Sequence, residues 1–333
     1  MLIIADGNNL AWAGFHALRR SMEPQTPHEK VRCALLGLTQ SVLGLVVRAG
    51  EPPTAADPVR LAQRNAGKVT GLAVVFDEGR PLRRRLVWPT YQTGREGDPS
   101  FRENEVHILE AIRQFSEMAA MLPATVARGI NTEADDLAAF LTVHAAGAVR
   151  IASSDRDFMQ LLDERVSLYS PIKRVVITTA NFDEHAAPKD AKGVAAPFPR
   201  ERYLDYRAAS GDTSDDLPGI PGLGTLGAAK LLAMYPLDDY LEEPLLTARA
   251  LGRTNAKLIS AIKSGEAAQT VARNRVLMDL RAAAARYDTL DGMRTAGAWD
   301  ESGFRAWFHE QRIAGLELSA AVVAMESLTQ AVA

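Results

Sequence analysis

The chain has one cysteine, Cys33, and only six histidines. A single thiol excludes an intramolecular disulfide framework, and no Cys/His grouping has zinc-ligand spacing. The N-terminus, Met1 to Asp6, lacks a basic leader region, and its apolar run is too short for a secretion signal. The apolar stretch Leu35 to Val47 is interrupted by Thr39, Gln40 and Ser41 and is too short to cross a bilayer. A cytoplasmic protein is the expectation. There are no internal repeats, and neither sign of charge dominates: the net charge is −3. What is present is an ordinary globular composition, 47% hydrophobic and 24% charged, over 333 residues. That length supports a large core and two domains or subdomains.

Carboxylates are the informative feature. Asn131 to Leu162 carries Glu133, Asp135 and Asp136 at the start of a helix whose apolar face follows (Leu137, Phe140, Leu141). It also carries Asp155 and Asp157 just after the short, mostly apolar run Val149 to Ala152, which reads as a buried strand. Each group has a plain structural reading. Thr132 with Asp135 resembles a capping box, and Asp155 fits a cap or first-turn acid. Two other apolar runs, 2–5 and 69–76, end at Asp6 and Asp77. Three acids after three strand-like runs point to one sheet edge, where α/β proteins place their sites. So many like charges need cations to stay ionised, and an all-oxygen set suits magnesium or manganese. With these acids neutralised, the rest of the chain is mildly basic.

Between the second and third runs lies Arg80-Pro-Leu-Arg-Arg-Arg-Leu-Val-Trp-Pro-Thr-Tyr91-Gln-Thr-Gly-Arg95. It is either a solvated basic loop or a phosphate-gripping, base-stacking segment. Gly94 to Pro99 reads as mobile, and the amphipathic helix Glu103 to Met121 would make the region a lid or arch. Gly7-Asn8-Asn9 reads as a turn, His28 to Val47 as a long helix, and 51–67 as a loop. Farther on, helices 203–209 and 225–234 flank Ser210-Gly-Asp-Thr-Ser-Asp-Asp-Leu-Pro-Gly219-Ile-Pro-Gly-Leu-Gly224. This has the form of a helix-hairpin-helix nucleic-acid module, with glycines letting the backbone approach phosphates. Asp212 and Asp215 there are turn residues or further metal ligands. Beyond Leu237 the chain is mostly helical and carries no evident chemistry.

These residues resemble the flap endonuclease / 5′-nuclease family, which includes bacteriophage 5′-3′ exonucleases and the N-terminal domain of bacterial DNA polymerase I. The resemblance rests on Val75-Phe-Asp-Glu with Arg84, Tyr91 and Arg95, Glu133-Ala-Asp-Asp, Ser154-Asp-Arg-Asp with Gln160-Leu-Leu, and the Gly211–Gly224 segment, within about residues 1–280. It implies an α/β fold: a PIN-like core with a central, mostly parallel sheet, a helical arch, and a mostly helical C-terminal part carrying the helix-hairpin-helix (helix-3-turn-helix) module. The corresponding ranges are 1–180 for the core with the arch at about 80–122, 200–290 for the hairpin region, and 291–333 for a helical extension. With no polymerase following, the stand-alone phage or bacterial type is expected.

The resemblance further implies a metal set of Asp6, Asp77, Glu133, Asp135, Asp136, Asp155, Asp157, Asp212 and Asp215. Arg84 and Arg95 would clamp the phosphate and Tyr91 would stack on a base. Arg83, Gly219, Gly222, Gly224 and Lys230 would hold DNA. The implied cofactors are two or more Mg2+, with Mn2+ able to substitute, and K+ at the hairpin module. Two lysines usual in the family are absent: Gln92 follows the arch tyrosine, and Leu226 stands in the hairpin. The expected function is metal-dependent hydrolysis of DNA phosphodiesters near 5′ ends and flap junctions, by a monomer, with a replication-protein partner through the C-terminal region. The alternatives are an RNase H-like exonuclease acting on RNA–DNA hybrid primers, and a structure-specific DNA-binding protein with little catalysis.

Overall fold

A computed structural model describes residues 1–252 and 255–332. Residues 253 and 254 of the expected hairpin region, and Ala333 at the end of the expected extension, lie outside the described residues. Nine strands are described: β1 Leu2–Asp6, β2 Gly71–Glu78, β3 Thr125–Ile130, β4 Val149–Ala152, β5 Val166–Ser170, β6 Val175–Ile177, β7 Gly211–Asp212, β8 Leu217–Pro218 and β9 Arg294–Ala296. Seven form one sheet in the order β6-β5-β4-β1-β2-β3-β9, and β7 and β8 form a separate small hairpin. The inner five are parallel, while β6 and β9 run antiparallel at the two edges. The chain begins in the middle, winds outward through β2 and β3, then crosses back to β4 and β5. The resulting switch point lies between β1 and β4, where open α/β sheets form a crevice at their carboxyl ends.

Alternation along the central strands feeds two helical layers. Ile3, Ala5, Val74 and Phe76 face one layer, in which α1 (Gly7–Met22), α2 (Pro27–Val47) and α3 (Pro58–Asn65) pack. The arch residues form α4 (Leu82–Val87), α5 (Thr93–Gly97) and α6 (Pro99–Ala119), and α6 joins that layer. Ile4, Ala73, Val75 and Ile151 face the other layer, which contains α7 (Ala134–His144) and α8 (Phe182–Ala186). Around β7, β8 and β9 the remaining elements are helices: α9 Tyr203–Ser210, α10 Gly224–Leu232, α11 Leu237–Leu241, α12 Pro244–Leu251, α13 Ala256–Lys263, α14 Glu266–Met278, α15 Leu280–Ala284, α16 Glu301–Glu310 and α17 Leu318–Val332.

Several elements differ from the sequence reading. Residues 7–9 open α1 rather than forming a turn, because the Asp6 side chain accepts from Asn9 N and caps the helix. Residues 58–65 form α3, started by Asp57 as N-cap and Pro58 at the first position. The helix containing Leu35–Val47 extends back to Pro27 through a Thr26/Glu29 capping box. At 21 residues, with mean hydropathy 1.4 in its most apolar window, it has the length and composition to cross a membrane; 78% of that window is buried inside this fold. It is a core helix, with Gly37 against Gly14 of α1 so closely that a Cβ on either would sit 2.6 Å or less from the other's backbone. The strand β3 has no counterpart in the sequence reading, since Arg128 and Gly129 break its apolar run.

Candidate active site

Asp6 ends β1, Asp77 lies near the end of β2, and Asp155 follows β4 by three residues. The three expected strand-end acids therefore meet at the carboxyl edge of three adjacent strands. Two asparagines lace those strand ends together. The Asn8 side chain accepts from Asp77 N at 3.0 Å, and Asn9 accepts from Ser154 N at 2.9 Å. Ser153 donates to Asp6 Oδ2 at 2.7 Å. The capping-box reading of Thr132 and Asp135 is not what forms. The N-cap of α7 is Glu133, its side chain makes no cap bond, and Asp77 Oδ1 accepts from Ala134 N at 2.7 Å. A carboxylate from β2 thus caps the helix that carries Asp135 and Asp136 and has Glu133 at its N-cap. Asp155 takes both readings: it accepts from Asp157 N at 2.8 Å while facing the cleft.

The cleft holds about 710 Å3. Asp6, Asp77, Glu133, Asp135, Asp155 and Asp215 line it; Asp136, Asp157 and Asp212 do not. These last three are turned to arginines. Arg84 donates to Asp136 Oδ1 at 2.8 Å and to Glu133, and Arg207 of α9 donates to Asp157 Oδ1 at 2.6 Å and to Asp212. Six of the nine expected ligands therefore face the cleft and three do not, and guanidinium groups reach those three as well as the cleft acids Glu133, Asp135 and Asp215.

Burial and mutual repulsion disfavour the charged forms. Burial and then Asp77 push Asp6 up to about 7, against the hydrogen bonds from Ser153 and Asn9. Burial raises Glu133 to about 7, with Arg84 opposing and Asp77 adding to the rise. Burial and Asp157 raise Asp155 to about 8. Asp77, Asp135, Asp157 and Asp215 are also raised, each chiefly by burial. Asp212 moves the other way: burial pulls it up, but Arg207 and Ser214 outweigh that. Such a set fits a hard divalent cation. All donors are carboxylate oxygens, and one oxygen each from Asp157, Asp212 and Asp215 lies within 4.8 Å of the others. A bound divalent ion would favour the ionised forms that burial disfavours.

The arch segment crosses this acid floor and is fastened to the turn after β7. Gln92 N donates to Asp215 O at 3.1 Å, Gly94 N to Asp216 Oδ2 at 2.6 Å, Trp88 Nε1 to Asp216 O at 2.9 Å, and Arg95 Nε to Ser214 O at 3.1 Å. Gly94, expected to be mobile, is held by one of these bonds. Tyr91 does not offer its ring to a base. It is 3% exposed, with its hydroxyl at 3.3 Å from Glu133 and 3.4 Å from Asp215. Arg84, expected as a phosphate clamp, is 6% exposed and committed to carboxylates and to Leu277 O at 2.9 Å. Arg95 does reach the cleft, donating to Asp215 Oδ1 at 2.7 Å. Gln92 donates to Glu133 Oε1 and Asp215 Oδ1, both at 3.0 Å. A neutral amide thus bridges two acids from distant parts of the chain.

Arg83 and Lys230 are exposed, on α4 and α10. Gly219 leaves the β7–β8 hairpin beside the Ser210 carbonyl, and Gly222, in the turn before α10, and Gly224, at the start of α10, have φ of +79° and +68°. These residues lie outside the cleft lining. Sequence reasoning missed Arg207, the asparagine lacing and an aromatic wall in which Trp12 stacks on Phe101 at 4.9 Å and on His16 at 5.7 Å. The paired asparagines after Asp6 were the available signal for the lacing; nothing local marks Arg207.

Residues 1–187 match the 5′-3′ exonuclease, N-terminal resolvase-like domain. The chain belongs to this family. It is 30% identical over 312 residues to DNA polymerase I of Mycobacterium tuberculosis, covering 93% of this chain and 30% of that protein. It is 28% identical over 237 residues to the thermostable DNA polymerase I of Thermus filiformis, covering 70% and 24%. The chain thus spans less than a third of the length of these relatives. Among solved structures, a bacteriophage T5 flap endonuclease in a product complex with DNA and metal ions superposes with TM-score 0.62 at 19% identity, over 93% of this chain and 99% of that one. The catalytic core of Rad2 with DNA substrate gives TM-score 0.54 at 13% identity, over 98% and 92%. The architecture is that of the PIN-like 5′-nucleases, with a mixed, mostly parallel central sheet and many helices.

Proposed function

We propose that the chain is a divalent-metal-dependent, structure-specific 5′-nuclease that hydrolyses DNA phosphodiesters near 5′ ends and at flap junctions, in replication and repair. The observation that carries this is the meeting of six carboxylates from five separate segments in one cleft with an arginine, Arg95, at its wall. The family's activity and the T5 and Rad2 complexes with DNA point the same way.

Asp6, Asp77, Glu133, Asp135 and Asp155 would hold one magnesium or manganese ion, and Asp157, Asp212 and Asp215 would hold the second. Bound metal supplies a nucleophilic water at neutral pH and neutralises developing charge on the phosphoryl group. The chain's own residues supply position. Asn8, Asn9 and Ser153 fix the carboxylates, Gln92 sets Glu133 against Asp215, and Arg95 meets the entering phosphate. Arg83, Lys230 and the backbone of the 219–224 turn grip duplex phosphates without reading sequence, in the manner of a helix-hairpin-helix module. Potassium at that turn belongs to this reading; DNA affinity that is equal in sodium and potassium would remove it. The site operates in the cytoplasm.

The test is cleavage of a 5′-labelled flap duplex and a matching RNA–DNA hybrid, in magnesium, manganese and EDTA. Cutting at the flap junction that EDTA abolishes supports the reading. Faster cutting of the hybrid makes the chain a primer-removing exonuclease. Tight binding with no cutting in either metal replaces the reading with a binding protein.

A further inference from the structure

Arg207 sits in the last turn of α9, with Asp157 in the short turn after β4 and Asp212 in the β7–β8 hairpin. Its guanidinium donates through Nε to Asp157 Oδ1 at 2.6 Å and through a second nitrogen to Asp212 Oδ2. Asp157 is buried and Arg207 and Asp212 are partly buried, with side-chain exposures of 11%, 12% and 14%. Asp157 and Asp212 are also two of the three acids whose oxygens have the spacing of a metal-binding group. The same carboxylates therefore have two prospective cations: a divalent ion and the guanidinium already lodged on them. Of the six cleft acids, Glu133 and Asp135 share Arg84 and Asp215 pairs with Arg95, whereas among the described residues Asp6, Asp77 and Asp155 make no ion pair with any lysine or arginine within 4.0 Å.

We propose that Arg207 is a resident counter-cation of the Asp157–Asp212–Asp215 corner that competes with the second divalent ion. The chain without DNA then binds one divalent ion tightly, at the cleft acids, and the second only as Arg207 leaves its two carboxylates. Arg207 is in this sense a positioning residue: it sets metal occupancy and touches no reacting atom. The physical reason is local charge. A guanidinium and a divalent ion on the same pair of carboxylates repel one another, and the planar fork binds two acids at once in a geometry that a metal must dismantle. The inference rests on the nuclease reading for its second metal position, but its readout does not require turnover.

The experiment counts manganese by electron paramagnetic resonance on the full chain without DNA, for wild type, Arg207→Gln and Arg207→Lys. Wild type is expected to bind one ion tightly and a second roughly tenfold or more weakly. Arg207→Gln brings the second ion close to the first, and Arg207→Lys, which keeps the charge, stays near wild type. Thermal unfolding separates this from a merely structural role. Arg207→Gln melts lower than wild type in EDTA and recovers in manganese, whereas a packing defect lowers both values alike. Two ions of equal affinity in wild type and Arg207→Gln, with metal-dependent flap cleavage intact, would overturn this inference and leave the nuclease reading standing. No manganese bound by any of the three would overturn both.

Discussion

At the scale of single residues, the carboxylates explain why the site needs a cation. Asp6, Glu133 and Asp155 are raised to about 7, 7 and 8 from ordinary values of 3.8, 4.5 and 3.8. A raised carboxyl binds its proton more tightly in the folded chain than in the unfolded one. Its stabilising contribution is full below the ordinary value and is lost as pH rises through the raised one. In EDTA the melting temperature should therefore fall as pH rises from about 4 to about 8, and magnesium should flatten that fall; a thermal melt series checks both. Gln92→Leu removes the amide that joins Glu133 to Asp215. It should cost about 1–3 kcal/mol in denaturant unfolding. At this scale the sequence was informative about which acids matter and silent about their partners. Asp6, Asp77 and Asp155 could be placed because each follows an apolar run. Arg84, Tyr91 and Arg207 were misjudged or missed because their burial depends on contacts 49 to 193 residues away for Arg84, 42 to 124 for Tyr91 and 50 for the Asp157 bond of Arg207.

Among the elements, two junctions decide the geometry. One is the α1–α2 crossing at Gly14 and Gly37, which sets α1 against β1 and thereby holds Asn8 and Asn9 at the strand ends. Gly37→Ala should lower unfolding stability by about 1–3 kcal/mol through overpacking, read from chemical denaturation. The other is the tie between the arch and the β7–β8 turn. Trp88 contributes an indole hydrogen bond to Asp216 O and a ring beneath Arg273 at 4.1 Å. Trp88→Ala should make residues 88–98 more sensitive to limited proteolysis and slow flap cleavage while leaving the melting temperature of the core nearly unchanged. The periodicity of 28–47 and 103–121 announced long helices, and both exist with N-termini moved to a proline. The strand β3 escaped notice because its register is set by pairing with β2, which tolerates Arg128 and Gly129 in a sequence too polar to stand out.

Across the whole molecule, the chain starts in the centre of its sheet and winds outward in both directions, so residues 6, 77, 133, 155 and 215 converge although more than two hundred positions separate the first from the last. This α/β order was legible from the repeated apolar-run-then-acid pattern. The closing of the sheet by β9, and the packing of α17 with α2 and α3 in the same core, were not: both depend on contacts from the last forty residues. DNA affinity should fall with salt, with a log–log slope of about −0.9 per phosphate neutralised, for matched and mismatched flap sequences alike, as fluorescence anisotropy would show. The central claim is that the convergent carboxylates, acting through bound divalent metal, cut DNA. Its most direct test is single-turnover cleavage of a 5′-flap duplex by wild type and Asp155→Asn in saturating magnesium, with binding measured in parallel. The account predicts a loss of cleavage on the order of 10²-fold or more with flap binding retained. Undiminished cleavage by Asp155→Asn would contradict it.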